Sequence, residues 1–279
     1  MTARLKYLLL ILAFLTLSLG TYQYFKTQTK SRTSTSIIRL NSATPSAVTK
    51  TTLLKFAVMS DIHSDLEHLT WALKDAKSDK MSFVIVTGDL TNVGESAELE
   101  AVKVALDKSG LKYYVIPGNH DVWMAKKVNS PIFSDVFGVT WQSFSDVGLK
   151  FILINNADET AGLPSAEMTW VKSMVTDCNV LKCLVFLHEP LNNLNSSHIM
   201  GEQSKQVASE AATLRQLFVT NNILQLFSGH LHFATEYVKN GLKTAIVGAV
   251  TGDRNTEMPR FLEVTWNGVD LKSHEVILE

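Results

Sequence analysis

Five short polar clusters, each standing just after an apolar run, constrain this chain more than any other feature. They are Asp61-Ile62-His63 after residues 54–60, Gly88-Asp89 after 82–87, Gly118-Asn119-His120-Asp121 after 112–116, His188 after 183–187, and Gly229-His230-Leu231-His232 after 223–227. Apolar runs of this length bounded by turn residues read as buried strands. Open α/β sheets place their sites at the C-terminal ends of such strands. Helical patterns at about 65–77, 95–109, 165–176 and 204–220 separate the runs, the first with Ser64 and Glu67 at capping-box spacing. A further strand is expected at 150–155, and Asn240-Gly241 and Asn267-Gly268 predict two-residue hairpins. The pattern predicts an α/β (α+β layered) fold, with β-sheets packed face to face and helices outside.

The N-terminus carries a different message. Arg4 and Lys6 precede a run at 8–19 in which ten of twelve residues are apolar, and Gly20 ends it. This describes residues 1–25 as a signal peptide or an N-terminal membrane anchor, and an exported or membrane-anchored, extracytoplasmic protein. The positive-inside rule pulls the other way, because Lys26, Lys30, Arg32 and Arg39 follow the run. Residues 26–52 hold 13 Ser/Thr in 27 positions and read as a solvated linker, which leaves 53–279 as the folded domain. That body carries 19 Lys/Arg against 27 Asp/Glu, a poor match for a nucleic-acid backbone. The two cysteines, Cys178 and Cys183, lie outside the polar clusters, and whether they pair is left open.

Carboxylates, an amide oxygen and several imidazoles suit borderline divalent ions, Mn, Fe, Zn or Ni, whereas all-oxygen Ca or Mg sites have no use for so many histidines. The ligands suffice for two ions, with one carboxylate able to bridge them.

The five blocks, D-x-H, GD, GNH[DE], H and GHxH in order over most of 54–250, resemble the calcineurin-like metallophosphoesterase superfamily. The wording Gly88-Asp89-Leu90-Thr91 and Gly229-His230-Leu231-His232 is most similar to its cyclic-nucleotide phosphodiesterase-type branch. The resemblance implies a two-sheet β-sandwich flanked by helices. It also implies two divalent transition-metal ions, the first on Asp61, His63 and His232, the second on Asn119, His188 and His230, with Asp89 bridging. His120 would stabilise substrate and leaving group, and Asp121 would orient it. The implied activity is hydrolysis of small phosphomonoesters or phosphodiesters by a metal-bridging hydroxide.

One departure stands out: His188-Glu189-Pro190 replaces the His-His-Pro run frequent in that branch, and an acid facing the cleft would repel an anionic substrate. Residues 122–137 and 190–203 are expected to wall the site. Two other functions compete: a nuclease of the same superfamily, disfavoured by the acidic body, and an inactive scaffold, which would predict broken ligands. The N-terminus leaves a membrane tether open for any of them.

Overall fold

The computed structural model describes residues 51–279, so the expected leader (1–25) and nearly all of the linker (26–52) lie outside the described residues. Among those described, no helix is long and apolar enough to cross a membrane. Strands β1 (Leu54–Met59), β2 (Phe83–Val86), β3 (Lys112–Val115), β10 (Arg260–Trp266) and β11 (Leu271–Ile277) form a sheet of order β11-β10-β1-β2-β3. Strands β4 (Gln142–Asp146), β5 (Leu149–Leu153), β6 (Lys182–Phe186), β7 (Gln225–Ser228), β8 (Thr235–Lys239) and β9 (Leu242–Ile246) form a second, of order β4-β5-β6-β7-β9-β8. The β1-β2-β3 and β5-β6-β7-β9 runs are parallel, and antiparallel strands close every edge except that of β3.

Alternation along each strand decides the layering. Phe56 and Val58 of β1, Phe83 and Ile85 of β2, Phe151 of β5 and Phe186 of β6 share one core between the sheets. Their neighbours point outward. Ala57, Met59, Val84 and Val86 pack under α1 (Leu66–Ser78) and α2 (Ser96–Ser109). Ile152, Val185 and Leu226 pack under α5 (Ser165–Met174) and α6 (Lys205–Thr220). Phe56 and Phe83 each meet Phe151 of the opposite sheet edge-on, at 5.4 and 5.5 Å between centroids. The result is the expected sandwich with helices on both outer faces.

Several local expectations are corrected. Asp65, not Ser64, caps α1, its Oδ1 accepting from the His68 N–H, while the Ser64 hydroxyl donates to Glu98. Asn240-Gly241 is the predicted two-residue turn, at φ 54° and 81°, but β10 and β11 are joined by four residues. There the Asn267 side chain accepts from the N–H groups of Val269 and Asp270 and so widens the turn. The sequence predicts neither the edge strand β4, whose outer positions are polar, nor the 3-10 turn His120–Val122 and the short helices α3 (Trp123–Val128) and α4 (Ile132–Phe137), too short to show a period. Cys178 and Cys183 are joined as a disulfide between the segment after α5 and β6.

Candidate metal centre

The C-terminal ends of β1, β2 and β3 in one sheet and of β6 and β7 in the other deliver all five polar clusters to one place. The loops interlock through backbone hydrogen bonds. The Ile62 and His63 N–H groups donate to the Asp89 carbonyl at 2.8 and 3.0 Å, and Gly229 N–H donates to the His188 carbonyl at 3.0 Å. Two glycines are required by this packing. A Cβ on Gly118 would lie 2.1 Å from Asp89 Oδ1, and one on Gly229 would lie 1.8 Å from Ser60 Oγ. Asp61, His63, Asp89, His230 and His232 all have positive φ, between 47° and 71°. Non-glycine residues adopt that backbone only where the surroundings over-determine it, typically at functional sites.

Two ligand groups result, with ligand atoms mutually within 4.8 Å: Asp61, His63, Asp89 and His232 in one, and Asp89, His188 and His230 in the other. Asp89 belongs to both. Asn119 joins the second, its Oδ1 3.0 Å from His188 Nε2. The seven expected ligands are therefore brought together, all buried except the partly exposed His232.

The donor chemistry fits cations. His232 Nδ1 lies 3.0 Å from the Arg254 carbonyl and His188 Nδ1 2.9 Å from the Thr87 carbonyl, so each carries its proton there and turns an Nε2 lone pair inward. Inward, His232 Nε2 meets His63 Nε2 at 3.1 Å and Asp61 Oδ1 at 3.5 Å, and His188 Nε2 meets the Asn119 oxygen and, at 3.4 Å, Asp89 Oδ2. Lone pairs and carboxylates facing one another need positive charge between them. Burial pushes Asp61 up, pushes His63 down to about 3 and holds His230 well below the usual histidine range. Burial also opposes charge on His188, but the Asp89 carboxylate beside it lifts that ring to about 10.

His120 lies beside the ligands rather than among them. Its backbone N–H donates to Asp89 Oδ1 at 3.0 Å, and its ring, edge-on to His63, lines the open cleft above both groups. The expected Asp121–His120 contact is not there. His120 Nδ1 meets the Asn92 carbonyl at 2.7 Å, whereas Asp121 is fully buried and accepts from Leu90, Thr91 and Gly118. Burial, and then the Asp89 charge, push its carboxyl up to about 7. Asp121 therefore ties loops together, and the Asn92 carbonyl orients the ring.

Glu189 also departs from expectation. Only 2% exposed, it lines a small void with Glu159, His198, Glu202 and the ligand His230 rather than the open cleft, and burial raises its carboxyl to about 8. The cleft, of about 350 Å³, instead receives residues the motifs did not reveal: Arg254 and Thr256 from the 250–258 turn, and His198, stacked on His230 at 4.1 Å. Trp123, 43% exposed, lies against His120 with ring centroids 3.8 Å apart. His198 and Trp123 come from the two expected wall segments, but Arg254 follows no motif, and its contribution depends on a turn distant in sequence.

The comparisons with known proteins agree with this site. The model of the calcineurin-like phosphoesterase family matches residues 54–234. A protein of Arcobacter nitrofigilis described as a probable glycerophosphodiester phosphodiesterase is 25% identical over 62% of this chain, which spans 64% of that relative's length. One of Vesicomyosocius okutanii described as a probable cyclic nucleotide phosphodiesterase is 25% identical over 68% of this chain and 77% of its own length. The fold is shared with a dimetal phosphatase from Danio rerio (TM-score 0.60, 13% identity, 82% of this chain and 100% of that one). A purple acid phosphatase from yellow lupin shares it as well (TM-score 0.60, 13% identity, 80% and 51%). The chain belongs to the calcineurin-like phosphoesterase family.

Proposed function

We propose that this protein is a dinuclear phosphodiesterase for small-molecule phosphodiesters. The observation that carries the reading is Asp89, one carboxylate shared by two groups of imidazole and carboxylate ligands. Divalent ions held there would supply charge against the phosphoryl oxygens and would lower the pKa of a water. The chain does the rest. Asp61, His63 and His232 would hold one ion and Asn119, His188 and His230 the other, and Asp89 is placed to serve both. His120, its ring fixed by the Asn92 carbonyl, meets the leaving oxygen by hydrogen bond or proton transfer. The Arg254 guanidinium lines the same cleft and answers the ester's negative charge.

The volume of the cleft suits a small ester, the acidic body disfavours a nucleic acid, and the relatives named for glycerophosphodiesters and cyclic nucleotides support a diester. An exported location is supported by the basic-apolar N-terminus together with the Cys178–Cys183 disulfide, since such bonds persist in oxidising compartments. The test is turnover of bis(p-nitrophenyl) phosphate, p-nitrophenyl phosphate, cyclic nucleotides and duplex DNA by metal-stripped protein resupplied with Mn, Zn, Fe or Mg. Metal-restored cleavage of the aryl diester, faster than of the monoester, is expected. No activity with any metal overturns the hydrolase assignment to this site, and preferential cutting of DNA restores the nuclease reading.

A further inference from the structure

The His120 imidazole is held from three sides, and one of the groups that hold it does not line the metal cleft. Its Nδ1 donates to the Asn92 carbonyl at 2.7 Å, which leaves Nε2 for the cleft that the ring lines. The ring of the ligand His63 stands edge-on to it, at 4.8 Å between centroids. The Trp123 indole covers it at 3.8 Å, with 35° between the planes, from outside the cleft lining.

One short stretch of chain builds this arrangement. After the 3-10 turn His120–Val122, the Trp123 N–H donates to the His120 carbonyl. The Met124 N–H donates to the Val93 carbonyl at 3.0 Å, so α3 is pinned to the loop whose Asn92 carbonyl holds the imidazole. Trp123 belongs to none of the three hydrophobic cores, and 43% of it is exposed. An indole left nearly half in water does little for the core, so its contact with His120 stands out. A single hydrogen bond to a carbonyl tolerates a broad range of approach, and by itself it lets the ring tilt. The aromatic contacts with His63 and Trp123 close off that tilt. Accuracy of this kind matters, since a reacting group misplaced by about 1 Å costs on the order of 10²-fold in rate.

We propose that Trp123 is a positioning residue that clamps the His120 imidazole so that Nε2 meets the leaving oxygen. The proposal rests on the phosphodiesterase reading, in which His120 serves that oxygen. Trp123→Ala should lower kcat for bis(p-nitrophenyl) phosphate by about tenfold to a hundredfold, with KM and metal content unchanged. Trp123→Phe, which keeps an aromatic face, should recover most of that loss. In the His120→Asn background, Trp123→Ala should change kcat by less than about twofold, because the clamp then has nothing to hold. Losses that multiply in the double variant, or loss of metal from Trp123→Ala, overturn the proposal. A second measurement needs no turnover. Nitrogen-15 NMR of the zinc-loaded full chain should show the His120 Nδ1 proton, assigned by its absence from His120→Asn. That proton should exchange with water about tenfold or more faster in Trp123→Ala. Equal exchange overturns the clamp, whereas faster exchange in a chain that hydrolyses no ester upholds the clamp and overturns the phosphodiesterase reading alone.

Discussion

Asp121 grips Thr91 twice, its Oδ1 accepting from the Thr91 backbone N–H at 2.9 Å and from the Thr91 hydroxyl at 2.7 Å. Its Oδ2 accepts from Leu90 and Gly118, so one buried carboxylate holds together the two loops that carry Asp89 and Asn119. Asp121→Asn turns one end of that acceptor into a donor facing another donor. It should destabilise the fold by about 2–4 kcal/mol and lower metal content as well as kcat. Denaturant midpoints and elemental analysis check this. A variant of unchanged stability with only a slower kcat would make Asp121 catalytic after all.

Asp89 and His120 should separate cleanly. Because Asp89 belongs to both ligand groups, Asp89→Asn should deplete the protein of metal at both positions and abolish turnover. His120→Asn should keep its metal and lose about 10²–10⁴ in kcat, the usual range for a general acid. Metal counted per chain beside aryl-diester kinetics decides, and metal loss in the His120 variant would make it a ligand.

Arg254 acts twice through different atoms. Its carbonyl accepts from His232 Nδ1, and its guanidinium lines the cleft. Arg254→Gln keeps the carbonyl and should keep the metal, while KM for the aryl diester rises about tenfold, the order of a charge-assisted hydrogen bond. A fall in kcat at unchanged KM would place Arg254 in the chemical step instead.

Glu167 gives the fold a pH dependence away from the metals. Its Oε1 accepts from the Asn155 N–H at 2.6 Å, its Oε2 has no partner, and burial raises its carboxyl to about 8 from 4.5. The folded protein therefore holds a proton that the unfolded chain has released between those values. The associated stability is full below about 4.5 and is lost as pH rises through about 8. Glu167→Gln mimics the protonated form, so it should melt higher than the unaltered chain at pH 8 and show a flatter melting temperature between pH 5 and 9. Equal slopes would show that Glu167 is ionised in the fold.

Much of this molecule was legible in one dimension. Buried strands announced themselves because both faces of the parallel β1-β2-β3 and β5-β6-β7 runs are covered, which demands unbroken apolar runs. The polar clusters stood out because a strand that ends at a site must change abruptly from apolar to ligating residues within a few positions, as from Met59 to Asp61. The sequence by itself therefore determined the layered fold class, the family and the seven residues that the two sheets bring together.

Tertiary structure alone decided what answers each polar group at long range. Asn92 rather than Asp121 orients His120 because the buried Asp121 carboxylate is claimed by the backbone N–H groups of three residues. Glu189 stays off the lining of the open cleft because the chain turns it into a small void beside His198 and His230, where burial raises its carboxyl. Arg254 reaches the cleft through contacts between segments far apart in sequence, which no local spacing encodes. Periodicity reports which face of an element is buried. Which partner waits there depends on how the layers dock.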